Sequence, residues 1–171
     1  YRKIVYNITM SMILISENAN IVLKDHLINK GHLLCEVVKT ASVYDAISSH
    51  PDIYACKLDD ELIVSKDLLP FSEKLLMERN IKYIPGASIP GYRYPENIIY
   101  NAVQLGTHFV HNTKYTDPIL LNAALEKELC LVHVNQGYTK CNTVSVDANS
   151  AITSDNGIAS ALTFHGIDAL V

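Results

Sequence analysis

The chain has 171 residues, enough for one well-buried domain or for a few repeated units that share a core. It is 49% hydrophobic and 19% charged, and its 14 Lys and Arg residues are scattered and outnumbered by 18 Asp and Glu. This balance argues against a nucleic-acid partner, and apolar runs shorter than the roughly 20 residues that cross a bilayer argue against a membrane partner. The N-terminus also lacks the residue order of a signal peptide, so we expect a cytoplasmic protein.

The first predicted unit covers residues 1–40. A short apolar strand ends at Ser16, an Asn-containing turn leads into an amphipathic helix closed by Gly31, and a second apolar strand follows. The N-terminal stretch YRKIVYNIT supplies a further strand in front of these elements. The predicted order is therefore strand, strand, helix, strand.

The second unit, residues 41–85, repeats this order. Residues 52–58 predict the front strand, and the Asp59-Asp60-Glu61 stretch that follows is typical of a hairpin turn. The helix ends at Asn80, because Asn replaces Gly best in the left-handed conformation. Residues 85–97, PGASIPGYRYPEN, contain three prolines and predict a long loop of the kind that often carries function.

The third unit, residues 95–135, has its front strand at residues 97–103. Asp117 and Pro118 are placed as the N-cap and the first residue of its helix.

The fourth unit, residues 136–171, has a front strand at residues 141–146. One residue ends the second strand of each unit, and these residues recur at intervals of 49, 46 and 43 positions: Ser16, Ser65, His111 and Ser154. Each unit has an apolar helical face that it cannot bury alone, so neighbouring units must share a core. We therefore expect one repeat-built α/β domain over residues 1–171.

A ββαβ unit repeated about a pseudo-symmetry axis resembles the pentein fold of the guanidino-group-modifying enzymes, which include dimethylarginine dimethylaminohydrolase, arginine and agmatine deiminases, and amidinotransferases. HPDIYACKLDDELIVS resembles the segment that carries their substrate-binding acidic residues, and GYTKCNTVSVD the segment of their catalytic His. YDAISSHPDI, YPENIIYNA, HNTKYTD and QGYTKCNTVSVD together resemble an uncharacterised bacterial family of this fold. The resemblance implies a pentein-like propeller with four units visible and the chain ending before a fifth.

The sequence departs from those enzymes at three places. Lys57 and Leu58 stand where the resemblance places an acidic pair that clamps the guanidinium, and a lysine cannot clamp a cation. Tyr138 stands at the position of the catalytic His. The nucleophilic Cys of the family lies in the fifth unit, so either the chain is truncated or a partner fills that place.

Strand alternation selects the candidate site residues. It places Cys141 on the channel-facing side of its strand and Lys57 in the same channel, with Asn101 as a third member. One interpretation is a pocket in which Lys57 and Lys140 hold an anion and Cys141, its thiol pKa lowered by Lys140, acts as a nucleophile. The alternative is that Cys141 is only a small strand residue.

The other reactive residues predict no metal site and no cofactor. The four cysteines lie far apart without a CxxC pair, so reduced thiols are expected. His108 and His111 are three apart in a strand and point to opposite faces, and the first helix has no i,i+4 pair of histidines. The stretch His50-Pro51-Asp52 is interpreted as a turn that leads into a strand.

Three functions fit this sequence. The first is a catalytically divergent relative of the guanidino-modifying enzymes that binds a small polar or anionic ligand through Lys57, Asn101, Tyr138, Lys140 and Cys141. The second is an active amidinohydrolase or amidinotransferase whose nucleophilic Cys lies in a missing C-terminal unit. The third is a noncatalytic assembly module, and a homo-oligomer is open in each case.

Overall fold

The computed structural model describes residues 11–171. The strand predicted in YRKIVYNIT and the signal-peptide argument lie outside these residues. The strands are β1 Met12–Ser16, β2 Leu33–Val37, β3 Ala55–Leu58, β4 Glu61–Val64, β5 Lys82–Pro85, β6 Val103–Leu105, β7 His108–His111, β8 Cys130–His133, β9 Thr143–Ser145, β10 Ser150–Thr153 and β11 Asp168–Leu170. The helices are α1 Ile21–Asn29, α2 Pro51–Tyr54, α3 Leu69–Glu78, α4 Pro118–Glu126 and α5 Asn156–Phe164.

These elements form an α/β structure with four small, separate sheets. Three sheets share one topology, in which an antiparallel hairpin is followed by a helix and a parallel third strand: β3-β4-β5, β6-β7-β8 and β9-β10-β11. The fourth sheet is the parallel pair β1-β2. The strand, strand, helix, strand order predicted for the last three units is present.

The ends of the helices follow the sequence signals. Asp117 caps α4, because its Oδ1 accepts hydrogen bonds from the backbone N–H groups of Ile119 at 2.9 Å and Leu120 at 3.3 Å. Asn80 follows α3 with φ of +51°, in the left-handed region where Gly is otherwise preferred. Glu128 adopts the same conformation after α4, with φ of +55°.

The hydrophobic core is divided between neighbouring units, as the repeat predicts. Three buried clusters join the first unit to the second, the second to the third, and the third to the fourth. Helix α3 packs against β2, α4 against β3, and α5 against β8, so each of these helices covers the sheet of the preceding unit. This shared burial holds the units together.

Several predicted boundaries of the front strands are wrong. Residues 97–103 were expected to form a strand, but the strand begins only at Val103, because residues 86–102 form an irregular segment. Cys141 lies in a turn before β9 and outside the strand, so pleat alternation does not set its direction. Residues 51–54 form the one-turn helix α2, with Pro51 at its first position.

The longest helix among the described residues, α3, has ten residues. None of the helices in this part of the chain is long and apolar enough to cross a membrane.

Candidate functional site

A cavity of about 920 Å³ opens between the four units. Its wall takes residues from every unit, including Met12 and Leu14 of β1, Ala55 and Lys57 of β3, Val103 of β6, and Ser145 of β9. The volume is that of a small-molecule site.

Lys57 and Lys140 both line this cavity. Their side chains are exposed, and neither makes a salt bridge with a carboxylate of residues 11–171. By contrast, Lys82 in the same wall is paired with Asp60 at 2.7 Å. The structure thus brings together the two lysines that the sequence selected, and both ammonium groups can receive an anionic group.

Asp52 lines the cavity, and behind it lies Cys141, which is not among the lining residues but contacts Asp52 directly. The Cys141 Sγ donates a hydrogen bond to Asp52 Oδ2 at 2.6 Å. His50 completes the group, since one ring nitrogen, the carboxylate oxygen and the sulfur all lie within 4.8 Å of one another. His50 and Asp52 reach this place because α2 begins there, and Cys141 because the chain turns there before β9.

Asn101 fixes the relative position of the two partners. It is fully buried, and its Nδ2 donates to Asp52 Oδ2 at 3.0 Å and to Cys141 Sγ at 3.3 Å. Its Oδ1 accepts hydrogen bonds from the backbone N–H groups of Lys140 at 2.8 Å and Cys141 at 3.3 Å. One buried amide therefore holds both the thiol and the carboxylate.

The electrostatics of Cys141 differ from the sequence-based expectation. Burial against its neighbours, and then the negative charge and hydrogen bond of Asp52, raise the pKa of the Cys141 thiol to about 12. The prediction of a pKa lowered by Lys140 is wrong, because burial of the thiol and then its direct contact with the Asp52 carboxylate both oppose ionisation. In the resting protein the thiol is protonated and acts as a hydrogen-bond donor.

Tyr138, the remaining predicted site residue, is, like Asn101 and Cys141, not among the residues that line the cavity. Its hydroxyl donates to Asn97 Oδ1 at 3.1 Å and lies 3.3 Å from the hydroxyl of Tyr44. Burial, followed by the contact with Tyr44, raises the pKa of the Tyr138 hydroxyl. These contacts place Tyr138 in the packing between units, beside Asn97.

The comparison with protein families gives one match. Residues 14–171 match the model of a family of unknown function, DUF6873. The chain belongs to this family. No curated protein matches it.

Sequence reasoning missed two site residues of this DUF6873 member, His50 and Asp52. They stand 91 and 89 positions before Cys141, and no motif spacing relates such distant residues. The one available signal was local: a His and an Asp flank Pro51 at the start of a helix. The His50 side chain makes no capping hydrogen bond, so that position leaves its ring free for other contacts.

The group of His50, Asp52 and Cys141 also has the donor types that bind zinc. The hydrogen bonds of these three residues argue against zinc binding. The amide NH₂ group of Asn101 donates to the Asp52 carboxylate oxygen and to the Cys141 sulfur, the two atoms that a cation would have to bind. A positively polarised donor in that position favours negative charge on the two atoms without a metal.

Proposed function

We propose that this DUF6873 member is a thiol-dependent enzyme that acts on a small polar molecule with a cationic amidine-like group and an anionic group. The observation that carries the proposal is the hydrogen bond between Cys141 and Asp52, with His50 in reach, beside a cavity lined by Lys57 and Lys140. A nucleophile, a proton carrier and a charge partner for the substrate are thereby close together.

The charges of the cavity support this substrate class. Asp52 offers a carboxylate to a cationic group at the side where the thiol lies, while Lys57 and Lys140 offer ammonium groups to an anion. The guanidino-modifying enzymes have an acidic pair where this sequence has Lys57 and Leu58. In this proposal Asp52 takes the role of that acidic partner.

The raised thiol pKa supports activation by the substrate. A cation bound at Asp52 offsets the carboxylate charge, which removes the main electrostatic cause that opposes thiolate formation. The proton of Cys141 then passes to His50, one ring nitrogen of which lies within 4.8 Å of the sulfur.

The reaction follows from these roles. The Cys141 sulfur bonds to the trigonal amidine carbon, a carbon–nitrogen bond breaks, and the departing amine takes the proton from His50. Water or a second amine then adds to the thioester-like carbon and releases the thiol, which gives a hydrolase or a transferase.

We also propose that the units are arranged as a pentein-like propeller. Among the described residues no sheet of a preceding unit lies under helix α1, and its Ile21 and Val22 are 65% and 72% exposed. The sheet of the fourth unit leaves apolar side chains exposed as well, among them Val144, Ile152 and Leu170. These two open faces fit one further unit of the same kind, or a partner that docks in its place.

A matched pair of alkylating reagents tests the enzyme proposal. We would label C130S protein, in which Cys141 is the one exposed thiol of the described residues, with cationic 2-chloroacetamidine or neutral 2-chloroacetamide. Each rate is divided by that of glutathione with the same reagent. We expect a preference of about tenfold or more for the cation, and its loss in D52N.

If the cationic and the neutral reagent label Cys141 of the C130S protein at equal normalised rates, the proposal that Asp52 directs a cation to the thiol is contradicted. The anionic half of the substrate is tested separately by protection. Arginine, which has a carboxylate, is expected to protect Cys141 better than agmatine, which lacks one, and the difference is expected to disappear in a K57M/K140M variant. Equal protection by both compounds would contradict the role of the lysines.

A further inference from the structure

A second cluster of reactive side chains lies apart from the cavity, where the third and fourth units meet. His108 begins β7 and Cys130 begins β8, and the two residues are direct partners in the parallel register of these strands. Neighbours in register project from the same face of a sheet, so the two side chains lie next to each other. His165, at the end of α5 in the next unit, joins them from the helix.

The three side chains present their donor atoms to one point. One nitrogen of each imidazole and the Cys130 sulfur lie within 4.8 Å of one another. The Cys130 Sγ is 3.8 Å from His165 Nδ1, and the two imidazole rings are 5.8 Å apart and inclined at 72°. Two ligands of a tetrahedral zinc ion, with Zn–S near 2.3 Å and Zn–N near 2.0 Å, are separated by about 3.5 Å, so small side-chain movements complete this geometry.

The rest of the described chain does not compete for these donors. Within residues 11–171 the only side-chain hydrogen bond of the three residues is the one between Cys130 and His165. Phe164 packs edge-on against the His165 ring at 5.4 Å while remaining 85% exposed. The Cys130 thiol is exposed, so the cluster is open to solvent on one side.

We propose that His108, Cys130 and His165 bind one zinc ion, with a water molecule as the fourth ligand. Two imidazole nitrogens and one thiolate form a donor set that suits this borderline-soft ion. The site goes beyond the proposed enzyme function and is independent of it. It also has a structural consequence, because the ion connects the sheet of the third unit to the helix of the fourth.

The sequence argument against a metal looked only for ligands that are close in the chain, namely neighbouring histidines and a CxxC pair. His108 and His111 do diverge, since His111 is fully buried and His108 is partly exposed. The ligands that meet come instead from positions 108, 130 and 165, which the pairing of β7 with β8 and the packing of α5 against β8 bring together.

Cobalt serves as the spectroscopic probe for this site. We would titrate tag-free, metal-free full chain with Co²⁺ and expect one equivalent to give visible d–d bands and a thiolate-to-cobalt charge-transfer band, both removed by Zn²⁺. C130S is expected to lose the charge-transfer band. C141S, the matched control in the other cluster, is expected to keep it.

Thermal unfolding provides a second measurement that does not depend on the cobalt absorption bands. Zn²⁺ is expected to raise the Tm of the parent protein and of C141S, but not that of C130S or H165A, because the ion stabilises only a folded state that holds its ligands. Circular dichroism shows whether each variant is folded. A charge-transfer band that persists in C130S and disappears in C141S, or the absence of any such band in the parent, would overturn the proposal.

Discussion

The Cys141 sulfur lies 2.6 Å from the Asp52 carboxylate oxygen, and this contact joins residues 89 positions apart in the chain. The buried Asn101 amide donates to both atoms, so the pair is held from a third point. Burial, and then the charge of the carboxylate, raise the pKa of the thiol to about 12, so the thiol is protonated at neutral pH. The predictions below examine this pair and the residues that position it.

Removal of the carboxylate charge is expected to activate Cys141 toward neutral reagents. D52N deletes the charge of Asp52 while burial of the thiol remains, so the thiol pKa falls from about 12 toward its ordinary value. Each unit of that fall raises the thiolate fraction at pH 8 about tenfold. The rate of alkylation by iodoacetamide in a C130S background measures it.

The control for this charge effect is D60N, since Asp60 lines the same cavity but is paired with Lys82. It is expected to leave the Cys141 rate unchanged. If D52N and D60N react at the parent rate, direct contact between Asp52 and the sulfur is not what sets the thiol pKa.

Asn101 is expected to be the residue of the site that contributes most to stability. N101A removes the hydrogen-bond partner of Asp52 and of the Lys140 backbone in a fully buried position, which costs about 2–3 kcal/mol in the free energy of unfolding. Urea unfolding measures the change. The matched N142A variant loses two hydrogen bonds in a less buried place and is expected to cost about 1 kcal/mol or less.

The two tyrosines at the unit boundary are expected to be energetically coupled. The Tyr138 hydroxyl donates to Asn97, so the Tyr44 hydroxyl at 3.3 Å is the donor between the two rings. Y138F and Y44F are each expected to cost about 1 kcal/mol, and the double variant less than their sum. Strict additivity in this double-mutant cycle would show that the hydroxyls do not interact.

His111 is expected to make the protein sensitive to acid. Burial lowers its pKa from 6.5 to about 4, and the neutral ring donates from Nε2 to the Ile98 carbonyl and accepts at Nδ1 from Thr116. Above pH 6.5 the ring is neutral in both states, so stability is unaffected. Between pH 6.5 and 4 the unfolded state takes up the proton first, and stability falls by as much as about 3 kcal/mol.

The measurement is urea unfolding at pH 7 and pH 4.5 for the parent protein and H111Q. The loss between the two pH values is expected to be smaller in H111Q, whereas H26Q, at an exposed position, is expected to behave like the parent. Since H111Q is itself destabilised, the NMR signals of the His111 ring give a second readout. Titration of that ring near pH 6.5 would contradict the prediction.

The sequence by itself determined the repeat, because the period of apolar residues and the turn residues between them act locally. The helix start at Asp117 and the left-handed end at Asn80 depend only on neighbouring backbone groups, and both are present. Lys57 lies within a regular strand, where pleat alternation applies, and it lines the cavity.

Only the tertiary structure decided the composition of the site. Asn101 and Cys141 lie in irregular segments, where no periodicity sets the direction of a side chain, and the expected strands around them are wrong. Asp52 and Cys141 come from different units, and His165 of the fourth unit joins His108 and Cys130 of the third, so both groups form through packing between units. Contacts of that kind depend on the shared core and on buried hydrogen bonds such as those of Asn101, which have no counterpart in the spacing of residues along the chain.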